Sequence, residues 1–499
     1  MQDKHASHLV QGATKIMAAS LISVGASILV GILVPRAMGE VIFGRFALLI
    51  STYNLSALLS SLGVGLLITR EFAPMFNRGE RQKALGLYKA IFSVRAIAGG
   101  SCSLGVIGFL AFFTPFEPGY SWITVAMMGG LVLVLTVSET LFMLQWGAMR
   151  YAQWGLFRPM RQWTRLILIL LGFKLDGLRG SVAGMLLAEC LIGMIGVWLA
   201  GQVGKLNSVR ADFSLLLSLK SLMLRNCVTQ LLLGGANYLG PIMVALFTTD
   251  AAETSYYGLS AGFTVIIANV ALRGATSFSP IFAIIVEQGD RVRLARWAGL
   301  AVRGGILGFI VMWGVFCLIG EQVIGWTVGD NFLPAYPLLV LLFAATPFRW
   351  ISTVLMQLCN VYKRPELNIW SGLVQLLIFI SLGSALLLRN GPAGLAFSFT
   401  LAAASGCGVA FFIVWRWLGV YVTPGRLLLS LLCAAPFVLV IEWGAAANFG
   451  GRFLLALLAT GASLLMAHFT RALRLKEVLS LYSALKGERG GGAAADFGN

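Results

Sequence analysis

Residues 16–34, IMAASLISVGASILVGILV, run for nineteen positions without a charged side chain. The hydrocarbon core of a bilayer takes about 20 apolar residues of helix, so this stretch is long enough to cross it. It is too long for the apolar region of a secretory signal, and no small-residue cleavage pattern follows. The reading is a first span that stays in the protein. Outward from it the same pattern recurs, giving fourteen spans near 14–34, 41–68, 86–113, 120–144, 156–173, 178–200, 225–248, 256–286, 297–319, 334–360, 367–388, 394–418, 427–446 and 452–470. Runs of this length are helices, since barrel strands need only about ten residues of alternating polarity. The fold class expected is an all-α polytopic membrane protein.

Composition agrees. The 499 residues are 58% apolar and 11% charged, with a mean hydropathy of +0.85. Soluble chains carry about 25% charged residues, so a soluble enzyme, a disordered protein and a nucleic-acid-binding domain are excluded. The net charge of +17 fits basic cytoplasmic loops; no nucleic-acid partner is expected. Alternating the loops from a cytoplasmic N-terminus puts 28 Lys and Arg on the cytoplasmic side, six on the other and three within spans. The cytoplasmic group includes Arg158, Arg161 and Arg165 at the start of span 5. The six outside are Arg36, Arg45, Lys174, Arg179, Arg389 and Arg452. Both termini are therefore expected to be cytoplasmic. The seven cysteines lie isolated in apolar runs and the histidines number three, which supports neither a disulfide framework nor a metal site. No cofactor is expected.

Four landmarks recur. Glu40-x-x-Phe43 matches Glu253-x-x-Tyr256, and Gly79-Glu80-Arg81-x-Lys83 matches Gly289-Asp290-Arg291-x-Arg293. Arg150 matches Arg364, and Gly177-x-x-Gly180 matches Gly391-x-x-Gly394, at separations of 210–214 residues. Six spans separate the members of each pair, an even number, so the repeat is parallel. The implied division is a six-helix lobe over 1–205, a second over 206–420 and two extra helices over 421–470. Beyond them, 471–499 forms a cytoplasmic tail, amphipathic over 471–486 and disordered after it.

Residues 33–44, LVPRAMGEVIFG, with 61–71, SLGVGLLITRE, and the counterpart 279–297, SPIFAIIVEQGDRVRLARW, resemble the polysaccharide-transporter branch of the multidrug/oligosaccharidyl-lipid/polysaccharide exporter superfamily, the Wzx-like flippases. The two-by-six-plus-two plan extends the resemblance over nearly the whole chain. It implies a V-shaped pair of lobes around a cavity, with alternating access. It also implies a bacterial inner-membrane protein for lipopolysaccharide or exopolysaccharide biosynthesis. The substrate implied is an undecaprenyl-diphosphate-linked oligosaccharide moved from the cytoplasmic to the periplasmic leaflet, in contact with membrane lipids and alongside a polysaccharide polymerase complex.

An anionic head group crossing hydrocarbon calls for buried cations, and arginine offers a bidentate fork that stays protonated. Arg273 and Arg349 each lie fourteen residues from the nearest cytoplasmic charge, about 21 Å at 1.5 Å per residue. They are candidates for diphosphate binding, or for neutralising carbonyls within their own lobe. Arg95 and Glu139 fall at similar depth, either as an ion pair or as a substrate contact. Glu189 shows no basic partner at its depth and is a candidate for proton coupling, as is Glu139, or else a packed carboxyl. Arg70 and Arg225 would suit first capture of the diphosphate or act as interfacial anchors. Asn226, Gln230 and Asn237 could bind sugar hydroxyls or bridge helices.

Two other functions compete. One is a drug or lipid II exporter on the same fold, although three intramembrane arginines against two glutamates favour an anionic cargo. The other is a membrane glycosyltransferase, polymerase or ligase. No two aspartates lie within two residues of each other, and the longest outside loop, 320–334, has about fifteen residues. No Gly-x-x-x-x-Gly-Lys-Ser/Thr loop is present, so ATP is not hydrolysed by the chain. An enzyme is not expected.

Overall fold

The computed structural model describes residues 2–469 apart from 114–119, 149, 205–207, 249, 277, 422–423 and 445–447. The expected tail, 471–499, lies outside the described residues. Among the helices are α1 (Gln2–Ser60), α2 (Arg81–Phe113), α3 (Trp122–Gly147), α4 (Tyr151–Gly201), α5 (Lys220–Phe247), α6 (Ala251–Thr276), α7 (Arg291–Thr327), α8 (Ala335–Phe343), α9 (Thr346–Val361), α10 (Asn368–Leu418), α11 (Ala435–Gly444) and α12 (Phe449–Phe469). No strand occurs among the described residues. The protein is an all-α, multi-pass membrane protein.

Among the described residues, ten helical segments are long and apolar enough to cross a membrane. Three of these run 39, 49 and 54 residues and are broken within, at Gly39 (φ 71°), at Asp176–Gly177 (φ 53° at the glycine) and at Gly391 (φ 62°). Positive φ is the conformation that only glycine adopts without steric cost. Each break separates two spans, and a shorter apolar helix covers Leu429–Ile441. The total matches the fourteen apolar runs of the sequence.

The break in α4 turns the chain back on itself. A Cβ on Gly180 would lie 1.9 Å from the Gly172 carbonyl oxygen, and one on Gly184 would lie 2.0 Å from that of Leu168. These pairs sit four and eight residues either side of Asp176, so the arms are antiparallel with their backbones in contact. The same arrangement recurs in α10. A Cβ on Gly394 would lie 2.3 Å from the Leu386 carbonyl oxygen, four residues either side of Asn390 and 214 residues after the first pair.

The other landmarks recur in local geometry. Gly79 and Gly289 both have positive φ, and their N–H groups donate to Phe76 O and Val286 O at 3.3 and 3.1 Å. Arg150 and Arg364 both cap helical segments with ψ near 60°, at 62° and 55°. Their N–H groups each donate at 2.9 Å to the carbonyl five residues earlier, Gln145 O and Cys359 O.

The chain divides into two compact units. The first takes residues 1–266 with 327–338 and 376–398, and the second takes 267–326, 339–375 and 399–499. The first unit's core is built around Leu49, Leu131, Val132 and Val182, and around Leu67, Leu87 and Leu144. The second unit's core gathers Ala298, Val302, Ile306, Val354 and Leu358.

Candidate functional site

The hairpin of α4 decides what its side chains meet. Glu189 lies thirteen residues after Asp176. Thirteen residues before Asp176 is Trp163, flanked by Arg161 and Arg165. Both arginines converge on Glu189, which is fully buried. Arg165 Nε donates to Glu189 Oε1 at 2.7 Å, and its Nη2 stands 2.7 Å from the same oxygen. Arg161 Nη2 stands 3.2 Å from Glu189 Oε2. The expectation that Glu189 lacks a basic partner is thus corrected: its partners are on the arm that the chain folds back against it. Arg161 and Arg165, counted with a cytoplasmic loop, are instead part of the helical span Gln153–Gly201.

The network continues through α3 to α2. Arg161 Nη1 donates to Glu139 Oε1 at 3.0 Å, and its Nη2 donates to Ser138 Oγ at 3.0 Å. Arg95 Nη2 lies 3.5 Å from Glu139 Oε2, the pairing expected from their matched depth. Arg95 is fully buried, and its Nε donates to the Ser60 carbonyl at 3.4 Å. Arg161 also lies over the Phe157 ring at 4.2 Å, which stacks on Phe142 at 3.7 Å. Three guanidinium groups therefore face two carboxylates, leaving one positive charge in excess.

Arg165 stands at the cavity end of this network. Its Nη2 donates to the Tyr53 hydroxyl, its guanidinium lies over the Tyr53 ring at 5.3 Å, and it lines a cavity of about 280 Å³. Around that cavity stand Tyr53, Asn54, Gln162, Asn237 and Tyr238, with apolar walls from Val30, Phe46 and Ile266. A cation, two phenol groups and three amides thus converge on an otherwise apolar space. At the Gly39 end of α1, the Tyr256 hydroxyl donates to Glu40 Oε2 at 2.6 Å. Phe332 sits edge-on to both Phe43 and Tyr256. There α1 and α6 touch backbone to backbone, since a Cβ on Gly44 would lie 1.8 Å from the Ala251 carbonyl oxygen.

The remaining candidates are placed as follows. Asn237 lines the cavity. Asn226 and Gln230 bridge helices: Asn226 Nδ2 donates to Gly63 O at 2.6 Å, and Gln230 Oε1 accepts from Ser61 Oγ at 3.2 Å. Arg70 and Arg225 are exposed, and Arg70 lies 3.7 Å from Glu71. Arg349 is half-buried in the second unit, over the Phe399 ring at 5.5 Å. The Arg273 side chain lies outside the described residues. Arg161, Arg165 and Tyr53 were not anticipated. The signal for the arginines was their i, i+4 spacing, which puts both on one helix face, opposite Glu189 once the tight turn is placed.

The internal repeat supplies a control for this cluster. The 214-residue offset of the hairpins and caps carries Glu139, Arg161, Arg165 and Glu189 onto Thr353, Gln375, Phe379 and Ala403. The 210-residue offset carries Arg95 onto Gly305, above which the Trp350 indole packs, its Nε1 donating to Ala301 O at 3.0 Å. The second-half hairpin and the helices α7 and α9 carry no charge at any of these five positions. The fold does not require the cluster.

No protein-family model matches the sequence, and no curated protein matches it. Solved structures do match. The inward closed conformation of the lipid II flippase MurJ superposes with a TM-score of 0.70 at 14% identity, over 92% of this chain and 98% of that one. An inward-facing multidrug resistance MATE family transporter of the MOP superfamily gives 0.64 at 12% identity, over 81% and 94%. A MOP superfamily transporter from Pyrococcus furiosus, whose binding pocket is described as having reversed polarity, gives 0.60 at 12% identity, over 83% and 95%. The chain has the fold that these proteins share. Its structural neighbours are flippases and transporters.

Proposed function

We propose that the protein is a flippase of the MOP superfamily, in the polysaccharide branch. It would move an undecaprenyl-diphosphate-linked oligosaccharide from the cytoplasmic to the periplasmic leaflet of a bacterial inner membrane by alternating access. The observation that carries this reading is the buried arginine network at the cavity wall, together with its absence from the equivalent hairpin. A buried ion cluster is at best neutral for stability against apolar packing. Its presence in only one of two like frameworks is therefore explained by a task, and the residual positive charge suits a phosphate. Arg165 has the fork geometry for a phosphate oxygen, while Asn54, Gln162 and Asn237 offer donors and acceptors to sugar hydroxyls. Arg349, with Arg273 on its neighbouring helix, remains a proposed second cation pair for the diphosphate, and Arg70 and Arg225 a proposed capture site.

The test is reconstitution into proteoliposomes carrying a polyprenyl-diphosphate oligosaccharide, scored by protection of the glycan from an externally added glycosidase. Expected is equilibration of the inward-facing pool in minutes with wild-type protein and none with Arg165→Ala. Equal rates for wild-type protein and protein-free liposomes would overturn the proposal. A second cargo, lipid II, is favoured by the end-to-end match to MurJ. It shares the diphosphate and differs in the saccharide, so competition between the two lipids in the same assay separates them.

A further inference from the structure

Span 2 is broken between Ser60 and Gly65. Helix α1 ends at Ser60, helical hydrogen bonding resumes at Gly65, and Leu62 (φ 49°) and Gly63 (φ 68°) stand between them. Positive φ is costly for a bulky side chain such as leucine. A widened π-helical turn follows at Ile68–Phe72. Glu40 and Gly79 lie 39 residues apart, whereas their counterparts Glu253 and Gly289 lie 36 apart. The first half thus fits three extra residues between the same two landmarks. In the second half the chain makes only a mild turn, with Phe278 at φ −81° and its N–H donating to Ala275 O at 3.2 Å.

A break inside a membrane frees backbone groups that lipid cannot satisfy. Here two other helices take them up. Arg95 Nε, from α2, donates to Ser60 O at 3.4 Å, and Asn226 Nδ2, from α5, donates to Gly63 O at 2.6 Å. The Ser60 hydroxyl meets that of Thr136, on α3, at 2.9 Å. Gly63 is pressed onto the backbone of α5, since a Cβ there would lie 2.5 Å from Cys227 N. Arg95 is fully buried, stands apart from the residues that line the cavity, and reaches toward Glu139 Oε2 with its Nη2 at 3.5 Å. It therefore joins the charge network to the break. Among the described residues, the second half has neither the positive-φ break nor the arginine at this point, where Gly305 stands instead.

We infer that Leu62–Gly63 is a joint in span 2, and that Arg95 is the positioning residue that sets its angle. The arm before the joint, residues 40–60, starts at the Gly39 break and carries Phe46, Ser51, Tyr53 and Asn54 to the cavity. Helices α2 and α3 run unbroken past Ser60 and form the frame against which the arm is set. By holding Ser60, Arg95 fixes where Tyr53, seven residues earlier, meets Arg165. As an aid to transport this role rests on the reading of the cavity given above. The joint itself is measured without cargo, so the two can fail separately.

The experiment is double electron–electron resonance on the purified full chain in phosphatidylcholine nanodiscs, in a background without the seven native thiols. One spin-label pair, Val41→Cys with Arg78→Cys, straddles the joint, and a second, Gln82→Cys with Phe112→Cys, spans unbroken α2; all four sites are exposed. Expected is one narrow distance for each pair while Arg95 is in place. Arg95→Met should raise the population of a second distance across the joint roughly tenfold, as for loss of one charge-assisted hydrogen bond, and leave the α2 pair unmoved. Arg95→Lys, which keeps a donor for the Ser60 carbonyl, should reverse part of that rise. Asn226→Ala frees the Gly63 carbonyl from the α5 side and should populate the same second distance, which tests the joint even where Arg95→Met does not accumulate. An unchanged distance across the joint in the folded variants, or no recovery with lysine, would overturn the assignment. So would equal broadening of both pairs, which would make Arg95 a support for the whole unit.

Discussion

Arg165 and Glu189 face each other across one helical hairpin, and the guanidinium that closes on Glu189 at 2.7 Å is also part of the cavity wall. The two ends of this contact have different consequences when altered. Glu189→Gln leaves Arg161 and Arg165 short of a buried counter-charge, a loss of about 3–5 kcal/mol, and should lower both membrane abundance and thermal stability. Arg165→Lys keeps the charge but loses the planar fork. That variant should accumulate normally and flip glycan at least tenfold more slowly, about 1.4 kcal/mol in the barrier. Abundance measured beside flipping rate checks both.

Installing second-half residues in the first half tests whether the network is a working part or a support. The combination Glu139→Thr, Arg161→Gln, Arg165→Phe and Glu189→Ala takes the second-half residues, and Arg95→Met, in place of the helix-weakening glycine found there, removes the last charge, so none is left unpaired. Apolar replacement of a buried ionic cluster is often neutral or stabilising by about 1–4 kcal/mol. Expected is a protein that inserts and melts within a few degrees of wild type but carries no diphosphate-linked glycan. Wild-type transport by this variant would remove the network from the mechanism.

The hairpin contact itself is testable. A side chain at Gly184 meets the Leu168 carbonyl at 2.0 Å, and neither backbone can give way without parting the arms. Gly184→Val should destabilise the protein by about 1–3 kcal/mol, the usual range for overpacking. A conservative change at Gly201, where a Cβ meets nothing within 4 Å, should leave melting unchanged.

At the Gly39 end, Tyr256→Phe deletes the hydroxyl that donates to Glu40. One hydrogen bond contributes about 1 kcal/mol, so opening at this end should become several-fold more frequent. The measurement is the labelling rate of a cysteine placed at Ser51 beside the cavity, in a background stripped of the seven native thiols. An unchanged rate would mean that the Gly44–Ala251 backbone contact holds the end closed alone.

Orientation is tested with single cysteines and a membrane-impermeant reagent. Substitutions at Glu253 and Asp330 should label from outside intact cells, and those at Arg81 and Arg291 only after lysis. Labelling of Asp330→Cys only after lysis would invert the proposed topology.

Spans, turns and the internal repeat were legible in the sequence because each rests on local pattern: apolar run length, glycine at a reversal, charge in a loop. The Arg95–Glu139 pairing was legible too, since α2 and α3 follow one another and their depths can be counted from Lys89 and Trp146. What was not legible depended on register. Arg161 and Arg165 sit near the start of a span, where positive-inside counting assigns arginine to the loop. Only the turn at Asp176–Gly177, placed to the residue, sets Glu189 opposite them. Arg273 and Arg349 in the second half stand out in the sequence by depth alone, and among the described residues the connected buried charge lies in the first half. Tyr53 belongs to a different helix from its partner, and nothing local in the sequence signals that meeting.

The glycine contacts of α4 sort the partners of Arg165 into two kinds. Glu189 is fastened to it through a single reversal of chain whose arms have no slack to slide, so that bond travels with the arginine wherever the hairpin goes. Tyr53 belongs to α1, a separate helix, and meets the hairpin through its side chain. One bond is permanent and the other exchangeable. On the proposed function, a phosphate oxygen arriving in the cavity would take the position held by the phenol hydroxyl and leave the carboxylate clamp intact. The arginine would then release its cargo and return to Tyr53 without losing its counter-charge.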